Sequence, residues 1–439
     1  KIRSSSFLYV PEWYLKGLTS WISEPWDSRA EGILKDGFYS GRFSFPEHLK
    51  GEDAVVFGRS VWRFVAEVYG ERIIPDILDM THVSRNVDGG FRYVLGLKFR
   101  ELMLEWGQFY RNHFGSPPEQ VIPPTNPIYS RRAKSGIQIG EIKWSRDGKY
   151  LAWTENRQGR VSIFLYETGS KKLRKIASMG RRLPDITDHS FPLLAWHPGN
   201  ELLVYSDEHK GRLRLNFHHI QSGETERKFL EFFTKVHGMD ISPDGRWILM
   251  SATRQGKPDL YVFHNASNTI EAWSDDGFDE SGARWMPDGN SVLFSSNRNT
   301  DSLKTGRIPE FAHLKKVHDL YLIRPLLNKN TCIQLSNTLG IHEEMPVPID
   351  NRYLGVVDSA ITQIDTTVHY RYFMRKTALS NEEYPVLNCA AIASGLYAQT
   401  QYIKGKYVLS VHADALKPFP EVERRLSKWG QTIQQPIRA

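Results

Sequence analysis

The chain has 439 residues, 40% of them hydrophobic and 24% charged, with a formal net charge of +7 and only two cysteines, Cys332 and Cys389. Such a length predicts more than one core, and two cysteines exclude both a zinc ribbon and a disulfide framework. The basic excess is spread thinly, without the lysine and arginine blocks that dominate phosphate-backbone binding, so nucleic acid is not expected as the main partner.

The first residues, KIRSSS, include neither a start methionine nor the apolar core of a signal peptide. The expectation is a processed or truncated piece of a longer protein. The longest apolar stretch, VLNCAAIASGLYA, falls short of the roughly 20 residues a membrane-crossing helix needs. The two thiols could form one bridge or sit unpaired in cores.

Residues 1 to about 115 read as helical. GEDAVVFGRSVWRFVAEVYG spaces Val55, Gly58, Val61, Trp62, Val65 and Tyr69 three and four apart, which predicts one buried helical face. KFRELMLEWGQFYRNHF repeats the pattern with Leu102, Trp106 and Phe109. Pro75 fits the first turn of a helix better than an interior. Residues 116–136, SPPEQVIPPTNPIYSRRAKSG, crowd prolines together and predict an extended linker.

Beyond it the hydrophobic period becomes two and a repeat emerges. WSRDGKYLAW from Trp144, WHPGNELLVY from Trp196, ISPDGRWILM from Ile241 and WMPDGNSVLF from Trp285 share one pattern. VPIDNRYLGV from Val347 is a weaker copy, and YIKGKYVLSV near Tyr402 keeps a glycine and a strand. The intervals run from about 44 to 62 residues, the period of propeller blades. Asp-Gly at 147–148, 244–245 and 288–289 supplies a tight turn, and the alternating run after it a blade strand. Because no single blade buries both faces, several must stack in a ring. The domains expected are 1–115 helical, 116–136 linker, 137–420 six-bladed propeller and 421–439 tail. The fold class is multi-domain, α followed by all-β.

At these residues the chain resembles the TolB-type six-bladed propeller, whose repeats read W-S-P-D-G-K-x-I-x-F and then S-x-R-x-G-x-x-D-I-Y. ISPDGRWILMSATRQGKPDLYVF (241–263) follows the pattern nearly throughout, and WMPDGNSVLFSSNR with DLYLIR follows it across an insertion. Residues 1–114 resemble the C-terminal helical half of the gluzincin, or peptidase-MA-like, peptidases. Their P-x-W-x-x-E-G-x-A-x-Y and Y-G-x-S-x-x-x-Y-L-x-x-x-Y-G patterns are echoed by VPEWYLKGLTSWI and FGRSVWRFVAEVYG. In that family the glutamate of W-x-x-E-G is a zinc ligand and His-Glu-x-x-His lies upstream. Here Lys16 holds the ligand position, and an ammonium has no lone pair to offer zinc. No His-Glu-x-x-His occurs; HEEMP at His342 has one histidine. The resemblance therefore implies a degenerate peptidase scaffold, as in Bacteroidetes TolB-like envelope proteins; separately, Lys16 reads as a solvated or salt-bridged lysine, with Glu12 one helical turn before it as an i,i+4 partner.

Other motifs bear on chemistry and contact. No G-x-S-x-G elbow exists for a prolyl-oligopeptidase reading, and KTG at 304–306 lacks an S-x-x-K partner. SDDGFDESG (274–282) lacks the ligand spacing of a calcium loop and reads as a turn between blades. His218 and His219 are adjacent on a strand and point to opposite faces, so they cannot share a metal. DSL, DSA and DTT at Asp301, Asp358 and Asp365 resemble a short O-glycosylation motif of Bacteroidetes. The insertion TDSLKTGRIPEFAHLKKVH (300–318) spends nearly twenty residues where sibling repeats spend a few. It is the expected partner contact, through Lys304, Arg307, Phe311, Lys315 and Lys316.

The function expected is a non-catalytic, periplasmic or outer-membrane-associated scaffold. It would bind a lipoprotein, an outer-membrane protein or a translocon component through the propeller, with no cofactor or metal. The alternative is a zinc metallopeptidase whose missing N-terminal half carries the histidines. A glycan-binding propeller is a third class, though no aromatic cluster stands out from ordinary core rings.

Overall fold

A computed structural model describes residues 10–23, 26, 28–115, 124–133, 137–183, 191–286, 289–303, 318–324, 328–336, 353–364, 368–378, 386–392 and 394–413, with the backbone alone for 28, 328–329 and 353–378. The N-terminal part is helical: α1 (Glu12–Ser23), α2 (Ser28–Tyr39), α3 (Gly51–Tyr69), α4 (Ile74–Ser84), α5 (Val87–Leu95) and α6 (Phe99–Phe114). Pro75 sits in the first turn of α4, as its missing N–H predicts.

Helix α3 departs from the expected single buried face. Ala54 and every residue from Val56 to Val65 are buried, because α1, α2, α4 and α6 all pack on it. The polar residues Arg59, Ser60 and Arg63 disguised this in the sequence. The two arginines are accommodated by lying over the Trp26 ring, at 5.1 and 4.5 Å from its centre, and Arg63 also pairs with Glu67.

The rest is antiparallel sheet. Sheets 1 to 4 are four-stranded meanders. Sheet 1 comprises Ile137–Trp144, Tyr150–Arg157, Arg160–Glu167 and Lys172–Met179; sheet 2 comprises Leu194–Trp196, Leu202–His209, Arg212–His219 and Thr225–Phe229. Sheet 3 comprises Phe233–Ile241, Trp247–Arg254, Lys257–His264 and Ile270–Ala272; sheet 4 comprises Glu280–Trp285, Val292–Ser296, Asp319–Arg324 and Asn328–Gln334. Sheet 5 pairs Tyr353–Ile364 with Val368–Ala378. Sheet 6 joins Val386–Ala391, Tyr397–Ile403 and Lys406–His412, and its fourth strand is Pro127–Arg132, from the proline-rich segment before the repeats. Pro127 can open that strand because the strand lies at the sheet edge, where a missing N–H costs little. The first strands of sheets 6, 1, 2, 3 and 4 lie side by side in that order, which is how propeller blades surround an axis.

Turn chemistry repeats from sheet to sheet. Between first and second strands, Ser145 donates to Asp147 and accepts from the Tyr150 N–H, and Ser242, Asp244 and Trp247 do the same. Between second and third strands, Gln158–Gly159, Lys210–Gly211, Gln255–Gly256 and Lys404–Gly405 have positive φ at both residues. That is the turn whose twist matches the strands it joins. This corrects the alignment of the sixth repeat. Lys404–Gly405 joins the second and third strands of sheet 6, and the counterpart of the Asp-Gly turn is at Ser394–Gly395, between the first and second.

Candidate functional site

The motif residues of the helical part fall at one helix crossing. Gly17 of α1 and Gly58 of α3 meet backbone to backbone: a Cβ on Gly58 would stand 1.8 Å from the Trp13 carbonyl oxygen, and one on Gly17 2.4 Å from the Gly58 backbone. The crossing holds Trp13 stacked on Phe99 with ring centres 5.1 Å apart, and lets the Trp62 indole donate to the Tyr14 carbonyl at 2.8 Å. Ser60 accepts from the Trp106 indole, while the Tyr110 hydroxyl donates to the Ser60 carbonyl. These positions are accounted for by packing. Lys16 lies on the other side of α1, half exposed, and donates to Glu12 at 2.8 Å. The same Glu12 oxygen takes the Gly51 N–H at the start of α3, a helix end that favours a carboxylate. The zinc-peptidase alternative gains no support here.

A second constellation was not legible in the sequence because its members are hundreds of residues apart. The buried Asp36 carboxylate of α2 accepts the backbone N–H groups of Lys404 and Gly405 in the sheet 6 hairpin, and it also pairs with Arg42. Arg42 reaches Asp53 at 3.0 Å, and the Tyr402 hydroxyl donates to Asp53 at 3.1 Å. Beside them Arg29 bridges Glu52 and the Tyr407 hydroxyl, which itself donates to Glu52. Burial raises the Asp53 pKa, with Arg42 opposing, and it raises the Tyr407 pKa well above that of an ordinary phenol. A single hydrophobic core runs beneath this network, from Trp13, Phe57 and Trp62 to Trp153, Tyr402, Tyr407 and Leu409. The helices and the first and last sheets are therefore packed as one body.

The acidic stretch is more than a turn. Asp276 and Glu280 are buried and converge with Asp259 of sheet 3, their carboxylate oxygens within 4.8 Å of one another. Three such oxygens would suit a cation, but the Arg298 guanidinium, itself fully buried, already holds two of the three carboxylates. It pairs with Asp276 at 3.1 Å and with Glu280, donates to the Ser302 carbonyl at 3.0 Å, and lies over Phe278, Phe294 and Tyr321. Burial, and then neighbouring carboxylates, push the Glu280 pKa up to about 8 and that of Asp259 to about 6, against the pull of Arg298 on Glu280. Arg298 thus pairs with two of three clustered acids, and burial favours the protonated form of the carboxyls that it does not neutralise. The lock joins sheets 3 and 4. Arg298 belongs to the S-x-R element of the repeat, and nothing in the local sequence ties it to that acidic stretch.

A third cluster crosses the axis. Arg284 on the first strand of sheet 4 pairs with Glu141 on the first strand of sheet 1 at 3.1 Å, and donates to the Met239 carbonyl of sheet 3. Glu141 also takes the Leu194 N–H of sheet 2, and Lys143 lies 3.3 Å from it. Sheets 1 and 4 are not neighbours in the succession of sheets, so this pair reaches across sheets 2 and 3 and ties four sheets together. Burial and then the charge of Arg284 lower the Lys143 pKa.

The five residues expected in the insertion, Lys304, Arg307, Phe311, Lys315 and Lys316, lie outside the described residues, as does His342. So do Asp365 and the side chain of Asp358. His218 is buried and bonded to Thr225 while His219 is exposed, on opposite faces as expected. Cys332 is buried and Cys389 exposed, and no disulfide joins them.

No known family profile matches this chain, and no curated protein does. Solved structures do align with it, and they are TolB and other β-propeller proteins. TolB from Acinetobacter baumannii aligns at 12% identity over 64% of this chain, with a TM-score of 0.37; the match spans only 56% of that protein's own length. The β-propeller domain of Cps50 (Swd1) from Myceliophteria thermophila aligns at 10% identity over 66% of this chain and all of that one, with a TM-score of 0.38. The β-propeller domain of the Trilobed protease from Pyrococcus furiosus aligns at 9% identity over 65% and 84%, with a TM-score of 0.36.

Proposed function

We propose that the protein is a non-catalytic scaffold of the Gram-negative envelope, periplasmic or outer-membrane-associated. It holds a lipoprotein, an outer-membrane protein or a translocon component through a six-bladed propeller. The helical part, a peptidase-derived module that has lost its metal ligand at Lys16, serves as a fixed spacer. The observation that carries this reading is the shared core and buried ion network joining α2 and α3 to sheets 1 and 6. A module welded in this way positions a binding ring, whereas a module that gates substrate must move relative to it. The similarity of the repeats to TolB supports the envelope placement, and among the described residues no helix is long and apolar enough to cross a membrane. Membrane contact would then come through partners, with the 300–318 insertion as one contact.

Affinity purification of the intact protein from its membrane, with a 300–318 deletion in parallel, tests the reading. It predicts stoichiometric envelope proteins in the wild-type sample and their weakening in the deletion. A protein recovered alone, holding one zinc and cleaving peptides, would refute it.

A further inference from the structure

The thinly spread positive charge of the sequence is gathered by the fold around one hairpin. Arg157 and Arg160 flank the Gln158–Gly159 turn between the second and third strands of sheet 1. On one side is a cleft of about 470 Å³ lined by Ser130, Arg131, Arg132, Ile137, Arg157 and Lys406. On the other is a cleft of about 540 Å³ lined by Arg160, Ser178, Met179, Gly180, Arg181 and Arg182. The two sides are held together by the hairpin: Leu183 donates its N–H to the Gln158 carbonyl at 2.8 Å, and Gly180 packs so closely that a Cβ there would stand 2.2 Å from the Gly159 oxygen. Seven cations face the two clefts, six of them arginines, and among the described residues no carboxylate lines either. Glu155 neutralises part of Arg131 at 3.4 Å.

We infer that these paired clefts bind an extended acidic segment of a partner protein, a run of aspartates or glutamates lying across the Gln158–Gly159 hairpin. This rests on the scaffold reading and names its contact chemistry. Arginine presents a planar fork of donors that matches a carboxylate in two hydrogen bonds, which a point-charge lysine does not. The clefts also adjoin two sheet edges. Pro127–Arg132 is the outer strand of sheet 6 and Lys172–Met179 that of sheet 1. An edge strand offers unpaired backbone N–H and C=O groups, which a polypeptide can pair with strand to strand and a lipid or nucleic acid cannot. Single-stranded nucleic acid would in addition use exposed aromatic rings for base stacking, and among the described residues no aromatic side chain lines either cleft. The helical module stands beside the first cleft: Gln138, next to Ile137, touches Glu52 of α3. A partner segment there would run along the joint that the module holds fixed.

The test measures binding of the intact protein to a fluorescent glutamate-rich peptide by anisotropy. A glutamine-matched peptide, a single-stranded oligonucleotide of equal charge and phosphatidylglycerol vesicles run in parallel. Arg132→Gln, Arg160→Gln, Arg181→Gln and Arg182→Gln combined remove exposed cations on both sides. Lys149→Gln with Arg246→Gln remove charge at the opposite turns. Expected are preference for the acidic peptide over all three comparators, at least tenfold weaker binding in the fourfold variant, and little change in the control pair. Equal binding of acidic and glutamine peptides, tighter binding of oligonucleotide or vesicles, or equal weakening by the control pair would overturn the inference. A fourfold variant that loses the peptide but still recovers the envelope partners would overturn the stated role, leaving the scaffold reading in place. Circular dichroism of each variant separates lost binding from lost fold.

Discussion

Replacing Gly58 by alanine should separate the two helices on which the N-terminal module depends. The new Cβ would stand 1.8 Å from the Trp13 carbonyl oxygen, whereas a comfortable C···O contact is about 3.3 Å or more. Helix α1 must therefore back away by about 1.5 Å. Opening a gap of even 0.5–1 Å forfeits about a quarter to a half of each contact across it. Overpacking of this kind costs about 1–3 kcal/mol, and loss of the Trp62 to Tyr14 bond adds about 1 kcal/mol. Alanine returns about 1 kcal/mol through its better helix propensity. The net expectation is about 2 kcal/mol of destabilisation. Gly107 in α6 is the internal comparison, since nothing lies within 4 Å of a Cβ built there, and Gly107→Ala should stabilise by about 0.5–1 kcal/mol. Urea denaturation followed by tryptophan fluorescence reads both, because Trp13, Trp62 and Trp106 sit in the affected core. A Gly58→Ala protein as stable as the Gly107→Ala protein would refute the close crossing.

Three further outcomes concern charged groups. Asp36→Ala strands two hairpin N–H groups and leaves Arg42 paired with Asp53 alone, and should destabilise by about 2–4 kcal/mol; hydrogen exchange should then show the sheet 6 hairpin and α2 opening together. Glu280 has its pKa raised to about 8 in the fold, so the folded state binds more protons than the unfolded state above pH 4.5. Its contribution is present in full below that pH and is lost as pH rises toward 8; Glu280→Gln should flatten the dependence of urea midpoint on pH between 5 and 8. Lys16→Glu places a second carboxylate beside Glu12 without supplying histidines, and elemental analysis should find no stoichiometric zinc.

How much of this was visible beforehand depended on range. The blade turns were legible because Asp147 and Asp244 bond to groups two residues away, and such local chemistry is written in consecutive letters. The helical pairing of Glu12 with Lys16 was legible for the same reason. The full burial of α3 was not, because Arg59 and Arg63 look like solvent-facing residues until Trp26 is seen beneath them. The sixth repeat was displaced by one hairpin, since Lys404–Gly405 resembles a turn signature wherever it occurs. Asp36 with Gly405, Arg284 with Glu141, and Arg132 with Arg157 are brought together only by tertiary packing. No spacing rule reaches across such intervals.

The most direct measurement places a photo-cross-linking residue at exposed positions of the intact protein in cells. Leu183 and Phe232 report on the sheets, and Tyr93 and Leu104 on the helices; all four side chains are more than half exposed. A propeller that carries the partner while the helices act as a spacer predicts adducts with envelope proteins from the sheet positions and few from the helical ones. Adducts confined to Tyr93 and Leu104 would contradict it.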